Sequence, residues 1–98
     1  MADYSIEELA RIVTPIAKKY GVERVYLFGS RARGDNSAES DYDFSIDPGE
    51  IDNILVFFSF IDDLEEALDS KVDVINRKSL KNDNFYKFMT SDEVVVYG

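Results

Sequence analysis

Cysteine and histidine are both absent from this 98-residue chain. Without cysteine there is no disulfide framework, no thiolate zinc site and no thiol nucleophile. Without histidine there is no serine–histidine triad, no imidazole metal site and no side chain that ordinarily titrates near neutrality. The lack of cysteine also fits a reducing compartment. Long apolar runs are missing: the longest, Ile54 to Phe58, is far too short to cross a bilayer. The first ten residues hold Asp3, Glu7 and Glu8 and no cationic stretch, so no secretory signal is expected. Basic residues are scarce, with 11 Lys and Arg against 20 Asp and Glu, a net charge of −9. Such a balance repels free nucleic acid and anionic membranes outside a local basic patch, and it attracts a basic protein. The expectation is a cytoplasmic protein that binds neither nucleic acid nor a membrane directly.

What the chain does have is material for a core. Hydrophobic residues make up 45% and aromatics 13%, enough to exclude a disordered tail. The length suits one domain, residues 1–98, that hides roughly two-thirds of its unfolded surface. Ser5 and Glu8 have the spacing of a capping box, and Ile6, Leu9, Ile12, Val13, Ile16 and Tyr20 follow at helical intervals. This predicts a helix over residues 6–20, kinked or broken at Pro15 and ended by Gly21. Val25 to Phe28 reads as a buried strand, and Gly29 to Ser40 as a loop with one helical turn around Ser30 to Gly34. Tyr42 to Ile46 reads as a second strand, stopped by Asp47-Pro48-Gly49. Asp52 is placed to cap a helix over residues 53–69, lined by Ile54, Leu55, Phe58, Ile61, Leu64 and Leu68. Phe57 and Phe60 fall off that stripe, as core on a second side or as an exposed patch for a partner. Val72 to Ile75, Leu80 to Met89 and Val94 to Tyr97 complete the order as strand, helix and strand. The expected fold is an α/β (α+β) domain, a small mixed sheet of about four strands with helices packed against it.

The chemistry concentrates in Gly29-Ser30-Arg31-Ala32-Arg33-Gly34 and Ser40-Asp41-Tyr42-Asp43. Residues i and i+2 of a strand share a face, so Asp41 and Asp43 project side by side, with Tyr42 opposite. Two ionised carboxylates about 4 Å apart repel by about 4 kcal/mol at an effective dielectric of about 20. Hard oxygen ligands without nitrogen or sulfur suit Mg²⁺, with Mn²⁺ as the alternative. The loop supplies the phosphate side. Gly29 lets the backbone approach a ligand, Ser30 adds a hydroxyl at a helix start, and Arg31 or Arg33 could bind a phosphate. Asp73 stands alone among Val72, Val74 and Ile75. A buried aspartate there is costly without a partner. The cost vanishes if the third strand lies beside the second and Asp73 joins the same site, to bind a second metal or to take a proton from an incoming hydroxyl. Taken singly, each of these residues reads better as ordinary surface. Taken together they describe a nucleoside triphosphate bridged by metal to Asp41 and Asp43. Asp35, Asp47, Asp62 and Asp63 lack that context and read as solvated or capping residues.

These motifs, with Val72-Asp73-Val74, resemble the minimal nucleotidyltransferases (MNT) of the DNA polymerase β-like nucleotidyltransferase superfamily, over nearly the whole chain. The resemblance implies metal-assisted transfer of a nucleoside monophosphate, AMP from ATP, to an acceptor hydroxyl with release of pyrophosphate. It assigns triphosphate binding to Gly29 and Ser30, with Arg33 as a weaker phosphate candidate. It assigns metal binding and catalysis to Asp41, Asp43 and Asp73, with Asp73 activating the acceptor. It also implies an antitoxin role, with a HEPN-domain ribonuclease toxin as partner and a tyrosine of that toxin as acceptor. The rival readings are a non-catalytic antitoxin that neutralises a basic partner by contact, and a transferase for a small molecule. The chain is too short for a separate acceptor domain, so another chain, or a second subunit in an oligomer, is expected to complete the site.

Overall fold

The computed structural model describes residues 4–37, 39–80 and 84–98. Helix α1 spans Ile6–Tyr20 and strand β1 Arg24–Phe28; a single helical turn, α2, spans Ser30–Arg33. Strand β2 (Tyr42–Asp47), helix α3 (Ile54–Leu68) and strand β3 (Val72–Asn76) form a parallel strand–helix–strand crossover. A 3-10 turn at Arg77–Ser79, helix α4 (Asn84–Ser91) and strand β4 (Val94–Tyr97) end the chain. The sheet order is β3-β2-β1-β4, with β1 antiparallel to both of its neighbours. The mixed sheet and its helices are as the sequence predicts.

Local signals fix α1. The Ser5 hydroxyl accepts from the Glu8 N–H at 3.1 Å, and the Glu8 carboxylate accepts from the Ser5 N–H at 2.9 Å. Gly21 closes the helix with a φ of 70°. Pro15 does not break it. The proline lies on the exposed side, while Leu9, Val13 and Ala17 are buried on the other and hold the turn in place.

Helices α1 and α3 cover one face of the sheet. Their Leu9, Val13, Phe60, Leu64 and Leu68 pack on Val25, Leu27, Tyr42, Phe44, Ile46 and Val72. Alternation then sends Tyr26, Phe28, Asp43, Ser45 and Asp73 to the other face.

The phase of α3 differs from the sequence expectation. Phe60, Leu64 and Leu68 are fully buried, whereas Ile54, Leu55 and Phe58 are 64%, 75% and 54% exposed. Phe60 meets Tyr20 of α1 edge-on at 5.6 Å, and Phe57 is half-buried. The two phenylalanines are core, and the exposed apolar patch consists of residues expected inside. The cap is Asn53 rather than Asp52: its side chain accepts from the Val56 N–H at 3.0 Å. Asp63 is no idle surface residue either, since it accepts from Lys19 at 2.9 Å and from the Tyr20 hydroxyl at 2.7 Å, tying α3 to α1.

Helix α4 lies on the opposite face, where Phe85 meets Phe28 edge-on at 6.4 Å, and Arg77 fastens it by donating to the Tyr86 hydroxyl at 3.4 Å. That guanidinium donates to Glu93 at 2.6 Å and to the Ser45 hydroxyl at 3.1 Å. It also lies 4.0 Å from the centroid of the Tyr26 ring and 3.6 Å from Asp47. The segment 81–83, part of the helix expected from Leu80, lies outside the described residues. Among the described residues no helix is long and apolar enough to cross a membrane.

Phe60→Ala is expected to cost about 3–5 kcal/mol in urea unfolding, as a large buried aromatic does. Phe58→Ala is expected to stay within about 0.5 kcal/mol of wild type, as surface changes do.

Candidate active site

Strand pairing assembles the site on the open face. Asp43 of β2 sits directly across from Asp73 of β3, and on its other side from Phe28 of β1. Asp41 precedes β2 by one residue. Gly29 and Ser30 follow Phe28 directly, so the turn comes down beside the carboxylates. At Gly29 the backbone has φ 80° and ψ −157°, a region essentially reserved for glycine. A Cβ there would stand 2.6 Å from the Asp43 Oδ2. Glycine is thus required twice, by backbone shape and by the approach of Asp43. Turn α2 starts at once, with the Ala32 and Arg33 N–H groups donating to the Gly29 carbonyl at 3.1 Å. The leading amides of such a turn have no partner within it and suit an anion.

Electrostatics links the same residues. The Asp43 carboxyl is held above the ordinary aspartate range, first by burial, then by Asp73 and by Asp41, with Arg33 opposing. Asp43 is half-buried and Asp73 exposed, so the site is walled at β2 and open at β3. The structure therefore brings Gly29, Ser30, Arg33, Asp41, Asp43 and Asp73 together. The two arginines are already engaged. Arg33 pairs with Asp35 at 3.1 Å and with Asp92 at 3.7 Å. Arg31 donates twice to the Ser40 carbonyl.

The site fits a divalent metal in one respect and limits it in another. Hard carboxylate oxygens, one of them destabilised by its like-charged neighbours, are what such a cation relieves. Among the described residues, however, no three acidic side chains are gathered tightly enough to hold a metal ion by themselves. An ion here would take one or two carboxylates and complete its shell with water and substrate oxygens, as magnesium does.

Sequence reasoning missed the support behind the site. Arg77, Glu93, Ser45 and Asp92 carry no local signal, because their partners are remote in sequence. Only Ser45, on the same strand face as Asp43, could have been inferred, from alternation.

Because the folded pKa of Asp43 is raised, the folded state binds a proton there more readily than the unfolded state. The charge then lowers stability above that folded pKa, and the penalty disappears below the ordinary aspartate value. Without divalent metal, Asp43→Asn is expected to melt higher than wild type at neutral pH. The gap should close on acidification, checked by thermal unfolding across pH. Gly29→Ala is expected to lose about 1–3 kcal/mol from its backbone conformation alone, read in urea unfolding.

The model of the family described as polymerase beta nucleotidyltransferase matches residues 11–98. Protein adenylyltransferase MntA of Thermococcus cleftensis is 34% identical over 86 residues, covering 84% of this chain and 87% of its own length. A Methanocaldococcus jannaschii chain provisionally named a protein adenylyltransferase is 36% identical over 94 residues, covering 93% of this chain and 94% of its own. In fold, the chain is similar to a solved complex of tri-AMPylated Shewanella oneidensis HEPN toxin with MNT antitoxin. There the TM-score is 0.72 and the identity 17%, covering 96% of this chain and 73% of that one. With its carboxylate pair beside a glycine–serine turn, the chain belongs to the polymerase beta nucleotidyltransferases, in the branch that holds the protein adenylyltransferases.

Proposed function

We propose that this chain transfers AMP from ATP to a hydroxyl of a partner protein, a HEPN-type toxin, and acts as its antitoxin. The observation that carries the reading is Asp43 set across from Asp73 beneath the Gly29–Ser30 turn. Names of the relatives supply the adenylyl group and the protein acceptor. The AMPylated toxin in the complex of similar fold supplies the partner class. The chain's net charge of −9 suits a basic partner.

Every residue of the site has a part in that reaction. The Gly29–Ser30 turn takes the outer phosphates through its amides and hydroxyl. Arg33 reaches them by exchanging Asp35 or Asp92 for phosphate oxygens. Asp41 and Asp43 would hold Mg²⁺, which when bound neutralises charge gathering on the phosphoryl oxygens. Asp73, exposed at the open side, receives the proton of the acceptor hydroxyl as its oxygen attacks the α-phosphorus. The bond to the bridging oxygen breaks and pyrophosphate leaves. The raised proton affinity of Asp43 means that metal and proton compete for it.

A second reading, neutralisation by contact alone, is favoured by the exposed Ile54, Leu55 and Phe58, which offer an apolar surface remote from the carboxylates.

ATP labelled at the α-phosphate is expected to label the toxin only with Mg²⁺ present. Asp41→Asn and Asp43→Asn should each cut the rate by at least about 10²-fold, the scale of losing an electrostatic stabiliser of the transition state. Wild-type labelling by both variants would refute the site. Toxin neutralisation surviving the double variant would favour contact over transfer.

A further inference from the structure

Arg31 belongs to the phosphate turn by sequence, and its side chain reaches out to the segment before β2. Its Nε and Nη2 donate to the Ser40 carbonyl oxygen at 3.0 and 2.8 Å. Its guanidinium lies 4.0 Å from the centroid of the Tyr42 ring. Ser40 and Tyr42 are the two chain neighbours of Asp41. One side chain from the turn after β1 therefore grips the backbone just before the first carboxylate and the ring just after it. Tyr42 is itself fixed, 1% exposed and packed against Phe44 in the core.

The grip matters because Asp41 lies ahead of the ladder. Pairing of β2 with β3 begins at Tyr42, so Asp43 lies inside the ladder and Asp41 just ahead of it. A planar fork on one carbonyl with an aromatic ring beneath is a geometry lysine cannot copy. Arg33, the other arginine of the turn, pairs instead with Asp35 and Asp92.

We propose that Arg31 is a positioning residue that fixes the Asp41 carboxylate relative to the Gly29–Ser30 turn, so that the metal and the triphosphate keep one spacing. The inference rests on the nucleotidyltransferase reading of the site. Outer partners that orient a metal-binding group are typically worth about 10- to 100-fold in metal affinity or activity.

The test compares wild type, Arg31→Ala and Arg31→Lys. Binding of Mn²⁺ alone is read by water-proton relaxation, and kcat and KM for ATP by transfer of labelled AMP. Arg31→Ala is expected to weaken Mn²⁺ binding and lower kcat by about 10- to 100-fold. The KM for ATP should stay within about twofold, because Gly29, Ser30 and Arg33, the residues assigned to phosphate, are unchanged. Arg31→Lys should fall with Arg31→Ala, since charge without the fork does not hold the carbonyl. If circular dichroism shows Arg31→Ala unfolded, Arg31→Lys and Arg31→Gln carry the same two readouts. A raised KM for ATP with unchanged Mn²⁺ binding would make Arg31 a phosphate ligand and overturn the proposal. So would full rescue by lysine, or Mn²⁺ binding that is absent in wild type or equal in all variants. If Mn²⁺ binding depends on Arg31 but wild type transfers no AMP, the functional reading fails and the positioning role stands.

Discussion

Parallel pairing of β2 with β3 places one carboxylate directly against another, and the sheet has to hold that arrangement against its own repulsion. Two carboxylates about 4 Å apart repel by about 1–4 kcal/mol between water-like and protein-surface dielectrics. The opposing term lies on the far side of the same strands. Tyr42, Phe44 and Val72 turn their side chains to the helix layer, where Phe60, Leu64 and Leu68 of α3 are buried against them. Each large apolar side chain buried there contributes about 1.5–3 kcal/mol. The crossover helix that a parallel pair requires is thus also what keeps Asp43 and Asp73 together.

A second set of contacts organises the open face. Arg77 gathers Ser45 and Asp47 of β2, Tyr26 of β1 and Glu93 just ahead of β4. Asp92, next to Glu93, reaches Arg33 in the turn after β1. The end of α4 is thereby tied to the phosphate turn from one side, while Arg31 ties that turn to the segment before Asp41 from the other. Asp43 and Asp73 stand on the strands, while Asp41 and the phosphate turn beside them are held by arginines.

Signals that act within a few residues were legible in the sequence. The capping box at Ser5, the glycine stop at Gly21 and the turn at Ser30 need only local geometry, and they stand where the pattern places them. Two aspartates at a spacing of two and a third isolated in an apolar strand were equally legible. Their meeting depended on strand order, which alternation does not encode. The phase of α3 was not legible, because its first half is apolar on nearly every side. Tyr20 of α1 and the sheet selected Phe60 for the core and left Phe58 outside. Pro15 misleads for a similar reason, since packing outweighs a lost hydrogen bond. Arg77 was invisible: its hydrogen-bond partners Glu93 and Ser45 lie 16 and 32 residues away.

The exposure of Asp73 has a consequence for timing. A carboxylate open to solvent faces water before it faces any acceptor, and water is itself a nucleophile for a phosphoanhydride. On the proposed reading, ATP bound at this site in the free protein would face that water. A docked partner covering Asp73 would displace it and present its own hydroxyl in the same place, serving as substrate and as lid.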